Sequence, residues 1–181
     1  MTSKSPKRKK RILITAYHEI GHYLLIKKIQ NDFPDISLSV EKIELCPQIF
    51  NDKGGKIYMS EESHKIDLYQ CSTQFLEEFL LMNLAGFAAG KIFFGYFSGY
   101  CFEKDMLYNT SDYMSAKSIA SILLERNEST SHVDEIINNS FKSVETYLNQ
   151  NKSLIDTLAK KLYKCKRFSK TDLSQIDEKY F

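Results

Sequence analysis

The chain has 181 residues, of which 43% are hydrophobic and 13% aromatic, so it can bury a core of its own and is not disordered throughout. Its 25 basic and 23 acidic residues nearly balance, but six of the basic ones (Lys4, Lys7, Arg8, Lys9, Lys10 and Arg11) fall in the first eleven positions. The remaining 19 face 23 acids, so the body is mildly acidic and composition calls for no nucleic-acid-binding face.

Only 7 Gly and 3 Pro are present, too few turn residues for a many-stranded sandwich or barrel. The expected fold is mainly α, one domain over residues 12–181, preceded by a basic tail over residues 1–11. That tail reads as a solvated flexible arm, or as an anchor for an acidic partner or surface. Cys46, Cys71, Cys101 and Cys165 show no CxxC spacing. No signal peptide is expected, since the basic start runs into an amphipathic stretch. Together these point to free thiols in a reducing cytoplasm. Residues 79–90 and 92–102 are uncharged, but each run is far shorter than the roughly 20 residues of a membrane span. No membrane span is expected.

A first helix begins near Ile12. Leu13, Tyr17, Ile20 and Leu24 recur at helical spacing with Ala16, Gly21, Leu25 and Ile29 beside them, so the helix is apolar around much of its girth. Asn31-Asp32-Phe33-Pro34 ends it. Residues 36–46 then alternate as a strand does. Gly54-Gly55 breaks the chain, and Lys56 to Met59 reads as a second strand that pairs with the first. A helix follows from about Asp67 to Phe94, with small residues at Ala85, Gly86, Ala88, Ala89 and Gly90 that permit close approach by another element. Residues 95–109 read as a structured loop. The aromatics over 93–102 read as core or oligomer contacts. Helices are expected over about Ser111–Arg126, Ser131–Gln150 and Lys152–Lys164, with a short last turn or helix after Thr171. Ser131-x-x-Asp134 has the form of a capping box.

One motif carries chemistry. His18-Glu19-Ile20-Gly21-His22 is an H-E-x-x-H sequence within the apolar first helix. Four residues span about 1.1 helical turns, so both imidazoles leave one face and can reach a single zinc ion. Glu19 stands beside them as general base and acid for a water whose pKa zinc lowers to about 7. Two imidazoles and a carboxylate in an apolar helix are costly without such partners. A catalytic zinc needs a third ligand. Spacing alone leaves Glu103, Asp105 and Asp112 open for that role, and Asp112 also reads as a first-turn acid favoured by a helix dipole. His64 and His132 read as solvated.

Thr15 to His22 (TAYHEIGH) closely resembles the TAYHEAGH segment of the FtsH-type AAA protease peptidase domain. The likeness continues in order through the strand pair over residues 40–59, through Leu84–Gly90 with Phe94-Gly95, and through Ser111-Asp112-Tyr113 with Ala116 and Ile119-Ala120. It covers about residues 12–178. Gly90 stands where that family carries an acid after two alanines, and Tyr108-Asn109 stands where it carries a glycine before its Ser-Asn-Asp segment.

The resemblance implies Asp112 as third zinc ligand beside His18 and His22, with Glu19 catalytic. It implies a metallopeptidase acting on protein or peptide substrates, with self-association into rings. The family's ATPase signature, G-x-x-x-x-G-K-S/T, occurs nowhere in the chain. The expected substrates are therefore unfolded or flexible segments, unless a separate ATPase unfolds them. Gly55, Lys56, Ile57 and Tyr58 are the candidate substrate-binding edge strand, pairing with substrate backbone, although an ordinary hairpin strand fits the same residues. The alternative reading of the whole chain is a non-catalytic module of the same likeness that binds or regulates a protein partner.

Overall fold

A computed structural model describes residues 6–45, 54–95, 111–127 and 132–181. Among these the chain is mainly helical, with six α-helices and one small antiparallel sheet, as composition indicates. Helix α1 spans Pro6–Asp32, strands β1 and β2 span Val40–Leu45 and Gly55–Met59, and α2 spans Thr73–Phe94. Then come α3 (Ser111–Asn127), α4 (Val133–Gln150), α5 (Lys152–Cys165), β3 (Arg167–Phe168) and α6 (Lys170–Tyr180).

Helix α1 is the central element. Ala16, Ile20, Leu24, Leu25 and Ile29 are wholly buried, and Tyr17 and Tyr23 nearly so. A helix that is apolar around its circumference must be surrounded. Helices α2 and α5 and the β1–β2 hairpin do this. Small residues bring α1 and α2 together, as their run in the sequence suggests. A Cβ on Gly21 would lie 2.5 Å from the Ala85 carbonyl oxygen and 2.9 Å from the Ala89 Cβ. Helix α2 then supports α3 and α4 on its other flank, and Lys91 on α2 pairs with Glu145 on α4 at 2.7 Å. Polar pins hold the carboxy-terminal helices to α1. The Tyr17 hydroxyl donates to Asp156 on α5 at 2.5 Å, and the Tyr23 hydroxyl and Lys27 ammonium both reach Asp177 on α6.

The sheet has the order β2–β1–β3, so β2 lies at one edge. Its register pairs Lys42 with Tyr58, Ile43 with Ile57, Glu44 with Lys56 and Leu45 with Gly55. Ile43, Leu45 and Ile57 face α1, and Lys42, Glu44, Lys56 and Tyr58 face away. A bulge between Val40 and Lys42 shifts the ladder by one residue, which lets Val40 join Met59 on the core-facing side.

Several boundaries differ from the expected ones. Helix α1 starts at Pro6 rather than Ile12, so half of the basic tail is helical. Proline suits a first helical position, and Lys and Arg are good helix formers. The first strand is Val40–Leu45, because Ile36 and Leu38 lie in tight turns whose amides bond to Phe33 and Ile36. Helix α2 starts at Thr73, not Asp67. The Ser72 hydroxyl accepts the Phe75 amide at 3.1 Å and fixes the start there. Before it stands a short 3₁₀ turn, Glu62–Lys65.

The expected capping box at Ser131 is replaced. His132 is the N-cap of α4 and makes no side-chain cap bond, while Ser131 lies outside the described residues. A reciprocal box occurs instead at Ser169 and Asp172, opening α6, and of the turn or helix expected after Thr171 the chain forms the helix, Lys170–Tyr180. Replacing Ser169 by Ala should cost about 1 kcal/mol in denaturant unfolding and loosen α6. Strand β3 is two residues long, too short for a pattern. It pairs with Ile43 and Glu44 after Lys166 turns the chain at φ 68°. Of the loop expected over 95–109, all but Gly95 lies outside the described residues, whereas Phe93 and Phe94 pack against Tyr17 with ring centroids 4.4 and 5.0 Å away, one tilted and one edge-on. No helix among the described residues is long and apolar enough to cross a membrane.

Candidate metal centre

The one-turn spacing of His18 and His22 does what helix geometry demands. Their rings lie edge to face with centroids 4.7 Å apart, and their Nε2 atoms are 3.1 Å apart. Helix α3 delivers the third group. Asp112, in its first turn, places Oδ2 3.1 Å from His18 Nε2 and 3.4 Å from His22 Nε2. The carboxylate thus turns to the histidines, with only a 3.4 Å contact from the Ser111 hydroxyl on its other oxygen. Glu103 and Asp105, the other acids that spacing left open, lie outside the described residues. Among the described residues, His18, His22 and Asp112 form the group able to hold a metal ion. His64 and His132 are exposed.

A second layer orients these ligands. His22 Nδ1–H donates to the Met82 carbonyl on α2 at 2.7 Å. In the neutral ring this leaves Nε2 as a lone pair aimed at the other two groups, the arrangement found behind metal-bound histidines. Three lone-pair atoms therefore face one small space. A tetrahedral ion with bonds of about 2.0–2.1 Å keeps its ligand atoms about 3.3 Å apart, close to the three edges of 3.1, 3.1 and 3.4 Å. The donor set of two imidazoles and one carboxylate suits zinc.

Charge follows the same pattern. Burial pushes the Asp112 carboxyl up, but the hydrogen bonds and charges of His18 and His22 outweigh it and hold it well below the usual carboxylate range. Burial pulls His22 down, yet its bond to Asp112, the charges of Asp112 and Glu19 and the Met82 carbonyl raise it overall. A cation at this point is strongly favoured. Glu19 is only 6% exposed, and burial raises its carboxyl above the ordinary range despite the two nearby histidines.

Two glycines make the room. A Cβ on Gly86 of α2 would lie 2.4 Å from His18 Cε1 and 2.5 Å from His22 Nε2. A Cβ on Gly55 would lie 2.5 Å from both Cγ and Oε1 of Glu19. Gly55 is thus the floor against which the Glu19 carboxylate rests, and β2 leads away from it. Of the four residues expected to meet substrate, Gly55 touches Glu19, Lys56 is exposed, Ile57 packs on the core and Tyr58 lies on the outer face. The roles of Met82 and Gly86 were not legible as site residues. A carbonyl carries no sequence signal. The glycine did carry one, since a mid-helix Gly costs about 1 kcal/mol against Ala and marks a close approach.

No protein-family model and no curated protein matches the chain.

Proposed function

We propose that the protein is a zinc metallopeptidase, similar to the peptidase domain of FtsH-type proteases, that cuts unfolded or flexible protein segments. The reading rests on one observation: His18, His22 and Asp112 converge with ligand-atom separations of 3.1, 3.1 and 3.4 Å. Bound there, zinc would supply Lewis-acid polarisation of a peptide carbonyl and acidify water. The chain's own residues supply the rest. His18, His22 and Asp112 would hold the ion, with Met82 and Gly86 keeping the imidazoles in register. Glu19 would take a proton on its carboxylate and return it to the leaving amine. Burial favours this, because a carboxyl raised above its ordinary range is a better base than an exposed one. The edge strand β2 would align substrate backbone beside Glu19. The free thiols of Cys71 and Cys165 suit a cytoplasmic setting.

Metal analysis of the purified chain, with casein or a fluorogenic peptide as substrate, tests the reading. About one zinc per chain and cleavage abolished by a chelator and restored by zinc are expected. A metal-bound but inert protein would favour the non-catalytic alternative, and failure to bind zinc would remove the centre.

A further inference from the structure

The outer face of the sheet carries a row of charges that stops at the β2 edge, where no further strand pairs among the described residues. The register places Lys56 of β2 opposite Glu44 of β1, and Glu44 opposite Arg167 of β3. Cross-strand partners share a face, so the row reads plus, minus, plus from β2 to β3. Glu44 is further engaged by Lys42 at 2.8 Å, and the hydrogen bond from Lys42 holds its carboxyl below the ordinary range. Lys56, by contrast, has no carboxylate within ion-pair distance among the described residues. Its ammonium rests 4.8 Å from the ring centre of Tyr58, which also receives Lys42 at 3.9 Å. The face thus holds three cations to one carboxylate, with Lys56 steadied by an aromatic ring at the outermost strand.

We infer that the open edge of β2 takes an extended peptide that carries an aspartate or glutamate opposite Lys56. An added strand continues the ladder, and the side chain opposite Lys56 emerges on the outer face. A negative charge there completes the alternation begun by Arg167, Glu44 and Lys56, whereas a positive one meets Lys56 and Lys42 together. Gly55 precedes Lys56 and touches Glu19, so the acidic position falls within about two residues of the bond presented to Glu19. This preference rests on the peptidase reading for cleavage but not for binding.

The experiment uses ten-residue peptides of alternating Val and Thr, with Asp, Asn or Lys stepped through the central positions. Binding is read by fluorescence anisotropy on the full chain carrying Glu19→Gln, and cleavage by mass spectrometry on the unsubstituted zinc-loaded chain. At one position Asp should bind about two- to five-fold more tightly than Asn, and Lys more weakly. High salt should narrow the difference. Adding Lys56→Glu should invert the order, and Lys56→Gln should level it. Equal binding of all three peptides at every position, an order unchanged by Lys56→Glu, or no binding at all would overturn the inference. Charge-dependent binding with no cleavage would uphold it while removing the peptidase reading. Cleavage without any charge preference would do the reverse.

Discussion

Replacing Glu19 by Gln should leave zinc bound and the fold intact while cutting kcat/KM by about 10²–10⁴-fold or more. The substitution preserves shape against Gly55, where even a Cβ would lie 2.5 Å from Glu19 Oε1. On the proposed reading it removes the proton acceptor and nothing that would hold the ion, since His18, His22 and Asp112 form the group able to hold one among the described residues. The direction of the stability change separates this from a structural role. Burial raises the Glu19 carboxyl, which means that the ionised group destabilises the folded chain at neutral pH. In the metal-free chain, the state to which that direction applies, the neutral amide should therefore melt at the same temperature or higher. Metal content by elemental analysis, turnover and Tm together check the claim. Retained turnover would exclude Glu19 as base, and lost metal would assign it to the ligand set.

A single methyl group on Gly86 should empty the metal centre. It would stand 2.4–2.5 Å from atoms of both imidazoles, so at least one ring must move away from Asp112. Displacing a supporting contact of this kind lowers metal affinity by about 10–100-fold, and here both histidines are struck at once. Overpacking costs about 1–3 kcal/mol, partly offset by alanine's helix propensity, so global stability should change far less than zinc binding. Gly90, one turn further along α2, is the control. A Cβ there meets nothing within 4 Å among the described residues, so Gly90→Ala should keep zinc and gain about 0.5–1 kcal/mol. Competition against a chromogenic chelator reads the affinities. Equal zinc binding by the Gly86→Ala variant and the unsubstituted chain would show that the α1–α2 contact does not set the ligand geometry.

The order of the main elements was legible because each rests on local physics. The 3.6-residue period marked α1 through its apolar girth, and two-residue alternation marked the β1–β2 hairpin. What misled was pattern without a partner. Ile36 and Leu38 alternate with serines as strand residues do, yet their backbone amides close turns on Phe33 and Ile36, leaving nothing to join the ladder. Ser131 offered a capping pattern to α4, but His132 is its N-cap. The box that does form, at Ser169 and Asp172, opens a helix where weak periodicity left turn and helix both open. Strand β3 exists only because Lys166 adopts a left-handed conformation and swings Arg167 and Phe168 against β1.

The metal centre divides along the same line. The pairing of His18 with His22 needs only the pitch of a helix, a property of neighbouring residues, and five letters of sequence are enough to place both rings on one side. Asp112 is 94 positions from His18, and no period relates them. Their meeting depends on how closely α1 and α2 approach through Gly21, Ala85 and Gly86, and on how α2 then seats α3. Which acid completes the set, which carbonyl orients His22 and which strand supports Glu19 are consequences of helix packing, because contacts between distant segments arise only when side-chain volumes across an interface fit one another.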